Sequence, residues 1–259
     1  MDKCLVFGAF GYLGFELVQV FLEKGLEVIH VNIGDEFEPS EYLEDKEFWV
    51  ARNANFSVKD VGAIPWEEID TCIIPACDWV YFAEKEKGVI KKRLTQYLME
   101  SKDVSVKRVH IQRGDWGEKF LPAELEQTCE LTITVPELYG GWQPPSSSFY
   151  KMFVSGEQAE FSSQEDFLNV HDAARNILEI ITTRTGRFSL KKQTGDQTDT
   201  VHRTGGKARA GNGITVEDSF GEKEQVIIYV KETEKEKEVL KKMRQRVFNL
   251  LGEKMSSQE

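Results

Sequence analysis

The stretch that decides the fold is KCLVFGAFGYLGFELVQVFLEKGLEVIHVNI, residues 3–33. It opens with a short apolar run of strand-forming residues and continues through three glycines spaced G-x-x-G-x-x-G. The pattern then changes to the roughly 3.6-residue period of an amphipathic helix. Gly25 closes this helix, and a second β-run follows at 27–33. The order of strand, glycine turn, helix and strand predicts a βαβ unit.

Strand and helix patterns continue to alternate beyond this unit. Buried strands are predicted at 70–77, 106–112 and 131–135, and apolar residues at helical spacing run through 81–99. Strands separated by helices at this pitch predict a doubly wound parallel sheet, which is the Rossmann-like class of α/β fold.

We divide the chain after residue 140. Residues 1–140 are predicted to form a Rossmann-like dinucleotide-binding domain, and 141–259 a small C-terminal lobe that completes the fold. Within this lobe, 194–224 is rich in Gly, Thr and basic residues and is predicted to be a mobile loop. Residues 231–253 are predicted to form a charged helix with an apolar stripe. The lobe also holds a predicted helix at 170–181 and a predicted strand at 225–230.

Composition excludes several classes of protein and partner. The chain has 259 residues, and its 33 Lys and Arg against 44 Asp and Glu give a net charge of −11, which repels phosphate backbones and argues against nucleic acid. No apolar run approaches the roughly 20 residues needed to span a bilayer. The four cysteines form no CxxC motif and no signal peptide precedes them, so a cytoplasmic protein with reduced thiols is expected. The four histidines lack metal-ligand spacing, so no metal site is predicted.

The glycine turn is the first candidate binding site. Gly8 permits a tight turn, Gly11 allows a ligand to approach the backbone, and Gly14 lets the helix pack on the strand. A diphosphate can then meet the amides and the positive dipole end of the helix. This arrangement predicts dinucleotide or nucleotide binding, and the alternative is that the glycines only shape the turn. The predicted contacts are Gly8, Phe10, Gly11, Tyr12, Leu13 and Gly14.

Three stretches resemble one known family. Residues 3–31 resemble the start of the extended short-chain dehydrogenase/reductase proteins, which include NAD-dependent nucleotide-sugar epimerases and dehydratases. The sequence ELYG at 137–140 lies where that family has N-x-Y-G, and DFLNVHDAAR at 166–175 is similar to its D-F-x-x-V-x-D-x-A-R segment. The resemblance covers residues 3 to about 190. It implies a Rossmann fold, NAD as cofactor and a nucleotide-sugar ligand.

The resemblance also implies where the rest of a dinucleotide would lie. NAD-selective members carry an acidic residue at the end of the second strand, where this sequence has Asn32, which either hydrogen-bonds the ribose or only turns the chain. A 2′-phosphate would face the acidic stretch 35–47, which is predicted to be a solvated loop or short helix. NAD(H) is therefore favoured over NADP(H). The implied contacts near the nicotinamide are main-chain groups of Pro75 and Ala76.

The proton-transfer residues of the family are missing from their usual places. Members use a Ser or Thr after the fifth strand and a Tyr-x-x-x-Lys whose lysine lowers the phenol pKa. Here Gly114 or Asp115 stands at the hydroxyl position, and no tyrosine lies between the fifth and sixth strands. The alternative candidates are Tyr81 with Lys85, which opens the helix after the fourth strand, and Asp115 with Glu118.

Three functional hypotheses follow. The first is a dinucleotide-binding protein of the epimerase/dehydratase type that has lost catalysis and acts as a sensor or scaffold. The second is an active epimerase, dehydratase or reductase that uses non-standard residues. The third is a structural role for the C-terminal helix, because residues 231–259 hold eight Lys and Arg against six Glu. That helix would bind a protein partner or a second copy, or pack on its own domain.

Overall fold

The protein is described here from a computed structural model, which covers residues 1–114, 120–155, 167–193, 215–219 and 225–231. The described strands are β1 (Lys3–Phe7), β2 (Glu27–Val31), β3 (Phe56–Val58), β4 (Thr71–Pro75), β5 (Lys107–Arg113), β6 (Leu131–Val135), β7 (Glu137–Tyr139), β8 (Phe167–Asn169), β9 (Gly186–Lys192), β10 (Thr215–Ser219) and β11 (Gln225–Val230). The described α-helices are α1 (Tyr12–Glu23), α2 (Ser40–Val50), α3 (Glu84–Glu100), α4 (Ala123–Glu126), α5 (Ser148–Ser155) and α6 (Val170–Thr183). Between β4 and α3 lies a 3-10 helix, Ala76–Tyr81, which we call the 3-10 segment.

Nine of the described strands form one sheet in the order β10-β11-β9-β6-β5-β4-β1-β2-β3. Neighbours pair in parallel except β10 with β11, which are antiparallel. From β1 the chain builds β2 and β3 on one side and β4, β5 and β6 on the other, so the strand order reverses between β1 and β4. In open α/β sheets, ligands bind at the carboxyl ends of the strands beside such a reversal.

Both faces of the sheet are covered. Along β1, Cys4 and Val6 belong to the apolar core that contains α1 and α6, and Leu5 and Phe7 belong to the core that contains α3. All four side chains are fully buried. This is why the strand has a continuous apolar sequence, as expected for a parallel strand with helices on both sides.

The predicted fold class is confirmed. The strands predicted at 131–135 and 225–230 have the observed bounds of β6 and β11, and the predicted helix at 170–181 is α6 with two further residues. The fourth strand is shorter than predicted, because the chain turns into the 3-10 segment after Pro75.

The acidic stretch 35–47 differs from the prediction of a solvated loop or short helix. Asp35–Phe37 form a 3-10 turn and α2 begins at Ser40. Lys46 on this helix is fully buried, because it packs against the glycine turn. The stretch is therefore anchored to the rest of the fold by its single basic residue.

The chain after residue 140 contributes to the same sheet, through β9, β10 and β11. The loop predicted over 194–224 is wrong at Thr215–Ser219, which pair with β11 as an antiparallel strand. The remainder of that predicted loop lies outside the described residues. The predicted helix at 231–253 lies outside them as well, apart from Lys231. Its partner surface stays a prediction.

Candidate functional site

The glycine turn lies directly after β1, beside the reversal in strand order. Gly8 has a φ of 62°, in the region that favours glycine, and its carbonyl accepts a hydrogen bond from the Gly11 amide at 2.9 Å. A Cβ on Gly14 would lie 2.7 Å from the Gly8 carbonyl oxygen, so glycine there allows α1 to pack on the turn. These features agree with the turn geometry predicted from the sequence.

The amides that open α1 already hold an oxyanion. The Asp78 carboxylate accepts hydrogen bonds from the Leu13 and Gly14 amides, each at 2.8 Å between nitrogen and oxygen. A Cβ on Gly11 would lie only 2.5 Å from Asp78 Oδ2. The carboxylate therefore fills the opening that the glycine spacing creates for a ligand. A side chain from the 3-10 segment occupies the anion position of the helix N-terminus.

The Asp78 carboxyl group is fully buried, and burial raises its pKa to about 7. The Gly14 and Leu13 amides oppose this shift because they stabilise the carboxylate form. Glu38 raises the pKa further by charge repulsion, and Lys46 lowers it. Desolvation is the largest of these effects, so this carboxyl group changes its charge near neutral pH.

The bulky residues of the turn point into the protein. Phe10 is buried and lies 4.7 Å from the His30 ring, measured between ring centroids. Tyr12 is also buried, and its hydroxyl donates to Gln143 Oε1 at 2.8 Å. Phe10 and Tyr12 therefore shape the core behind the turn, whereas Asp78 occupies the space in front of it.

The remaining predicted cofactor contacts gather at the same edge of the sheet. Pro75 and Ala76 are buried at the end of β4, next to the glycine turn. Asn32 is exposed, and its side-chain oxygen accepts from the Gly34 and Asp35 amides at 3.0 and 3.1 Å. The contact of these residues with a cofactor stays a prediction.

A buried histidine holds the acidic residue nearest to the ribose position. The Ala9 amide donates to His30 Nδ1 at 3.2 Å, so the proton of the neutral ring lies on Nε2. His30 Nε2 is 2.6 Å from Asp35 Oδ2 and donates to it. In this conformation, the Asp35 carboxylate is engaged in a hydrogen bond within the protein.

The alternative proton-transfer candidates are not brought together. The Tyr81 hydroxyl accepts from Arg113 Nη1 at 3.4 Å, and Arg113 also pairs with Glu137 at 3.2 Å. Burial raises the pKa of Tyr81 far above its ordinary value, although Arg113 opposes the shift. Lys85 is exposed in the first turn of α3. A phenol with a raised pKa is a poor general base near neutral pH.

Asp115 and Glu118, the other candidate pair, lie outside the described residues. Gly114 follows β5 directly, and a Cβ there would lie 3.1 Å from the Thr134 methyl group. At Gly114, one of the two positions where the resemblance implies a hydroxyl, there is therefore no side chain, and the neighbouring strand crowds the space that one would need.

Comparison with solved structures places this geometry among known folds. The structure of UDP-glucuronic acid 4-epimerase from Bacillus cereus in complex with NAD matches with a TM-score of 0.53 and 17% sequence identity, over 74% of this chain and 79% of that one. The complex of that enzyme with UDP-glucuronic acid and NAD matches with a TM-score of 0.52 and 18% identity, over 70% and 73%. The chain has the fold of these epimerases. No protein-family model and no curated protein sequence matches it.

The sequence does not predict two of the residues that contact the glycine turn, Asp78 and Lys46. Asp78 lies 65 positions from Leu13 along the chain, so no local pattern connects them. The only signal is a carboxylate shortly after the strand next to β1. Lys46 appears in the sequence as one basic residue among carboxylates, and its burial follows from tertiary packing alone.

Neither a metal centre nor a membrane-spanning helix is found within the described ranges. Among those residues, His, Cys, Asp and Glu form no group of three or more that would hold a metal ion. None of the helices in the described part is both long and apolar enough to cross a membrane.

Proposed function

We propose that this chain is a NAD(H)-binding protein of the nucleotide-sugar epimerase/dehydratase type that carries out no hydride transfer and acts by binding, as a sensor or scaffold. The observation that carries the proposal is the pair of hydrogen bonds from the Leu13 and Gly14 amides to an oxyanion, both at 2.8 Å. These donors, at a helix N-terminus after a glycine turn, suit the diphosphate of a dinucleotide.

The hydrogen-bond donors of the glycine turn favour binding of NAD, whereas the space in front of them is occupied. The amides and the glycine opening have the donor chemistry that a diphosphate needs, and the two B. cereus epimerase structures with this fold contain NAD. However, Asp78 fills the opening, and residues 8–17 are all buried. The Leu13 and Gly14 amides would hold the diphosphate once Asp78 has left them, with Asn32, Pro75 and Ala76 alongside. Bound NAD+ would be chemically able to accept a hydride and bound NADH to donate one, a capacity that the proposed function does not use.

Charge favours NAD(H) over NADP(H). The segment after β2 carries Asp35, Glu36 and Glu38, which would repel a 2′-phosphate. Two cations next to this segment are already paired with its carboxylates, Lys46 with Glu38 at 3.6 Å and Arg93 with Glu36 at 2.6 Å, so they are not directed to a 2′-phosphate.

The state of two candidate side chains, Tyr81 and Lys85, supports the absence of catalysis. Tyr81 accepts a hydrogen bond from Arg113, its pKa is raised, and Lys85 is exposed to solvent. An active epimerase, dehydratase or reductase would need a base with a pKa closer to neutral. Tyr81 with Lys85 does not provide one. In the second Tyr-x-x-x-Lys pair, Lys46 lies 5.8 Å from the Tyr42 ring centroid, but the Tyr42 hydroxyl donates to the Gln143 carbonyl and the Lys46 ammonium to the Phe10 carbonyl.

The proposal includes a cytoplasmic location, a nucleotide-sugar ligand and a protein partner. Cys4, Cys72, Cys77 and Cys129 form no disulfide, in keeping with the reducing cytoplasm. A nucleotide sugar is the second ligand that the fold would take, and a second copy or protein partner would bind through the C-terminal helix predicted from the sequence.

The test is binding measured separately from turnover. Isothermal titration with NAD+ and with NADH, and with NADP+ as the control for the ribose position, is expected to show binding of the first two. Incubation with NAD+ and a panel of UDP- and dTDP-sugars is expected to give no change in absorbance at the nicotinamide band and no new sugar product. Turnover would support the enzyme alternative. If neither NAD+ nor NADH binds, the proposed function is wrong, and the glycines only shape the turn.

A further inference from the structure

The carboxylate of Asp78 lies where an external anion would lie. Its oxygens lie 2.8 Å from the Leu13 and Gly14 amide nitrogens at the start of α1, and a Cβ on Gly11 would collide with it. It belongs to the 3-10 segment, which begins directly after β4, at the point of strand-order reversal. The feature is therefore part of the ligand crevice of the fold.

We propose that Asp78 is an internal competitor for the diphosphate position, so that a dinucleotide binds only when this carboxylate leaves the Leu13 and Gly14 amides. The inference rests on the proposed function, because it concerns the same site. One pair of amides cannot satisfy two anions at once, and two anions in one buried position repel each other strongly. Asp78 thereby sets the affinity for the ligand.

The 3-10 segment is the element that must move. It is six residues long, and the Trp79 ring lies against Gly8, where a Cβ would be 3.4 Å from Trp79 Nε1. At its end, the Tyr81 carbonyl accepts from Ser146 Oγ at 3.0 Å, an exposed contact. Displacement of Asp78 therefore changes the packing of a buried tryptophan, which gives a signal independent of any reaction.

Competition of this kind couples binding to protons. When Asp78 turns away from the two amides but stays in the crevice beside the bound diphosphate, the charge of the diphosphate raises the pKa of its carboxyl group and favours the protonated form. The pKa of Asp78 in the free protein is about 7, so binding takes up a proton above this pH. The ionisable groups around Asp78 are Cys77 and Tyr81 on its own segment, Tyr12 on α1, Lys46 on α2 and Glu38 before α2.

The direction of the pH effect follows. Above pH 7 the affinity for NAD+ is expected to fall by up to about tenfold for each pH unit, because the binding reaction takes up one proton. Below pH 6 the affinity is expected to level off, since Asp78 is already protonated there. A diphosphate site without an internal competitor shows no such dependence, because the diphosphate keeps its charge over this range.

The experiment is calorimetric titration of the full chain with NAD+ at pH 6, 7 and 8, each in two phosphate-free buffers whose different ionisation enthalpies reveal proton uptake: MES and Bis-Tris at pH 6, PIPES and imidazole at pH 7, HEPES and Tris at pH 8. The variant is Asp78→Asn, and the matched control is Asp70→Asn. Asp70 also accepts from two backbone amides, those of Asp2 and Lys3 at 2.7 and 2.9 Å, but at the opposite edge of the sheet. Asp78→Asn is expected to bind at least tenfold more tightly than wild type at pH 8, with no proton uptake.

The outcomes separate the two proposals. Binding by wild type with no proton uptake, and equal affinity in Asp78→Asn, would overturn the competition and leave the proposed function intact. Absence of binding in both proteins at every pH would overturn the proposed function itself. If Asp78→Asn does not fold, proton uptake by the wild-type protein and a change in tryptophan emission on binding decide the question, because a pH-independent titration still contradicts the inference.

Discussion

The buried Lys46 ammonium donates a hydrogen bond to the Phe10 carbonyl oxygen, with 2.5 Å between nitrogen and oxygen. It also reaches the Gly11 carbonyl at 3.4 Å and the Glu38 carboxylate at 3.6 Å. Since its side chain has 0% exposure, the charge is compensated entirely by these groups and by the surrounding aromatic rings. Lys46 therefore ties α2 to the glycine turn.

We expect Lys46→Met to lower the free energy of unfolding by about 3–5 kcal/mol, because Glu38 would remain as a buried carboxylate without its partner. Urea unfolding followed by circular dichroism measures the loss. The double variant Lys46→Met with Glu38→Gln is the control, and it is expected to recover part of the stability. An equal loss in the single and double variants would contradict a role for the ion pair.

The contrast between this lysine and the strands shows what a sequence can predict. The sequence predicts the strands at 131–135 and 225–230 with their observed bounds, because LTITV and QVIIYV consist mostly of the β-branched and aromatic residues that favour strands. The glycine turn was predicted for a similar reason, since its spacing is local. Asp78 and Lys46 reach the turn from 65 and 36 positions away, and a contact between distant segments leaves no periodic signal.

His110 lies inside the sheet with both ring nitrogens buried and without a hydrogen-bond partner. Burial lowers the pKa of His110 from 6.5 to about 4. Between these pH values the unfolded chain binds the proton and the folded chain does not, so stability falls as pH falls.

We expect this histidine to cost the wild-type protein about 3 kcal/mol of stability between pH 7 and pH 4. His110→Leu removes the titrating group and two unsatisfied nitrogens, so it is expected to flatten that part of the stability profile. Urea unfolding at intervals of half a pH unit measures the difference between the two proteins. The same slope in both would show that His110 is protonated equally in the folded and unfolded states.

Asp78 is expected to act on stability in the opposite direction. The pKa of this group rises from 3.8 to about 7 on folding, so between these values the folded protein binds the proton that the unfolded chain has lost. Stability therefore falls as pH rises through this window, by about 4 kcal/mol. Asp78→Asn is expected to remove the decline and to be more stable than wild type at pH 8. Thermal unfolding of both proteins from pH 5 to pH 8, without ligand, measures this difference in stability. Parallel profiles of wild type and Asp78→Asn would contradict a raised pKa of Asp78 in the folded protein.

Tyr81 tests the enzyme alternative. Tyr81→Phe removes the hydroxyl that accepts from Arg113, and Arg113 keeps its pair with Glu137. We expect a loss of stability of about 1 kcal/mol or less, and unchanged affinity for NAD+. Lys85→Ala, at an exposed position, is the matched control. Turnover of a nucleotide sugar in the wild type that disappears in Tyr81→Phe would reverse the assignment of a non-catalytic protein.

The last prediction concerns the contact between Gly11 and Asp78. A Cβ on Gly11 would lie 2.5 Å from Asp78 Oδ2, so Gly11→Ala in the wild type must displace the carboxylate, at a cost of about 1–3 kcal/mol. In an Asp78→Ala background the contacts with the carboxyl group are gone and, of those with residue 78, only the one with its Cβ at 3.2 Å remains, so the same change costs less. The double-mutant cycle is therefore expected to give a coupling energy above about 1 kcal/mol in urea unfolding.

Gly88→Ala is the control for this cycle, because a Cβ at Gly88 meets no atom within 4 Å in α3. It is expected to raise stability by up to about 1 kcal/mol in either background, through helix propensity alone. If Gly11→Ala behaves in the same additive way, the carboxylate does not occupy the opening in solution. The glycine turn would then be open to a diphosphate without any displacement of Asp78, and NAD+ affinity would be the same in Asp78→Ala and wild type.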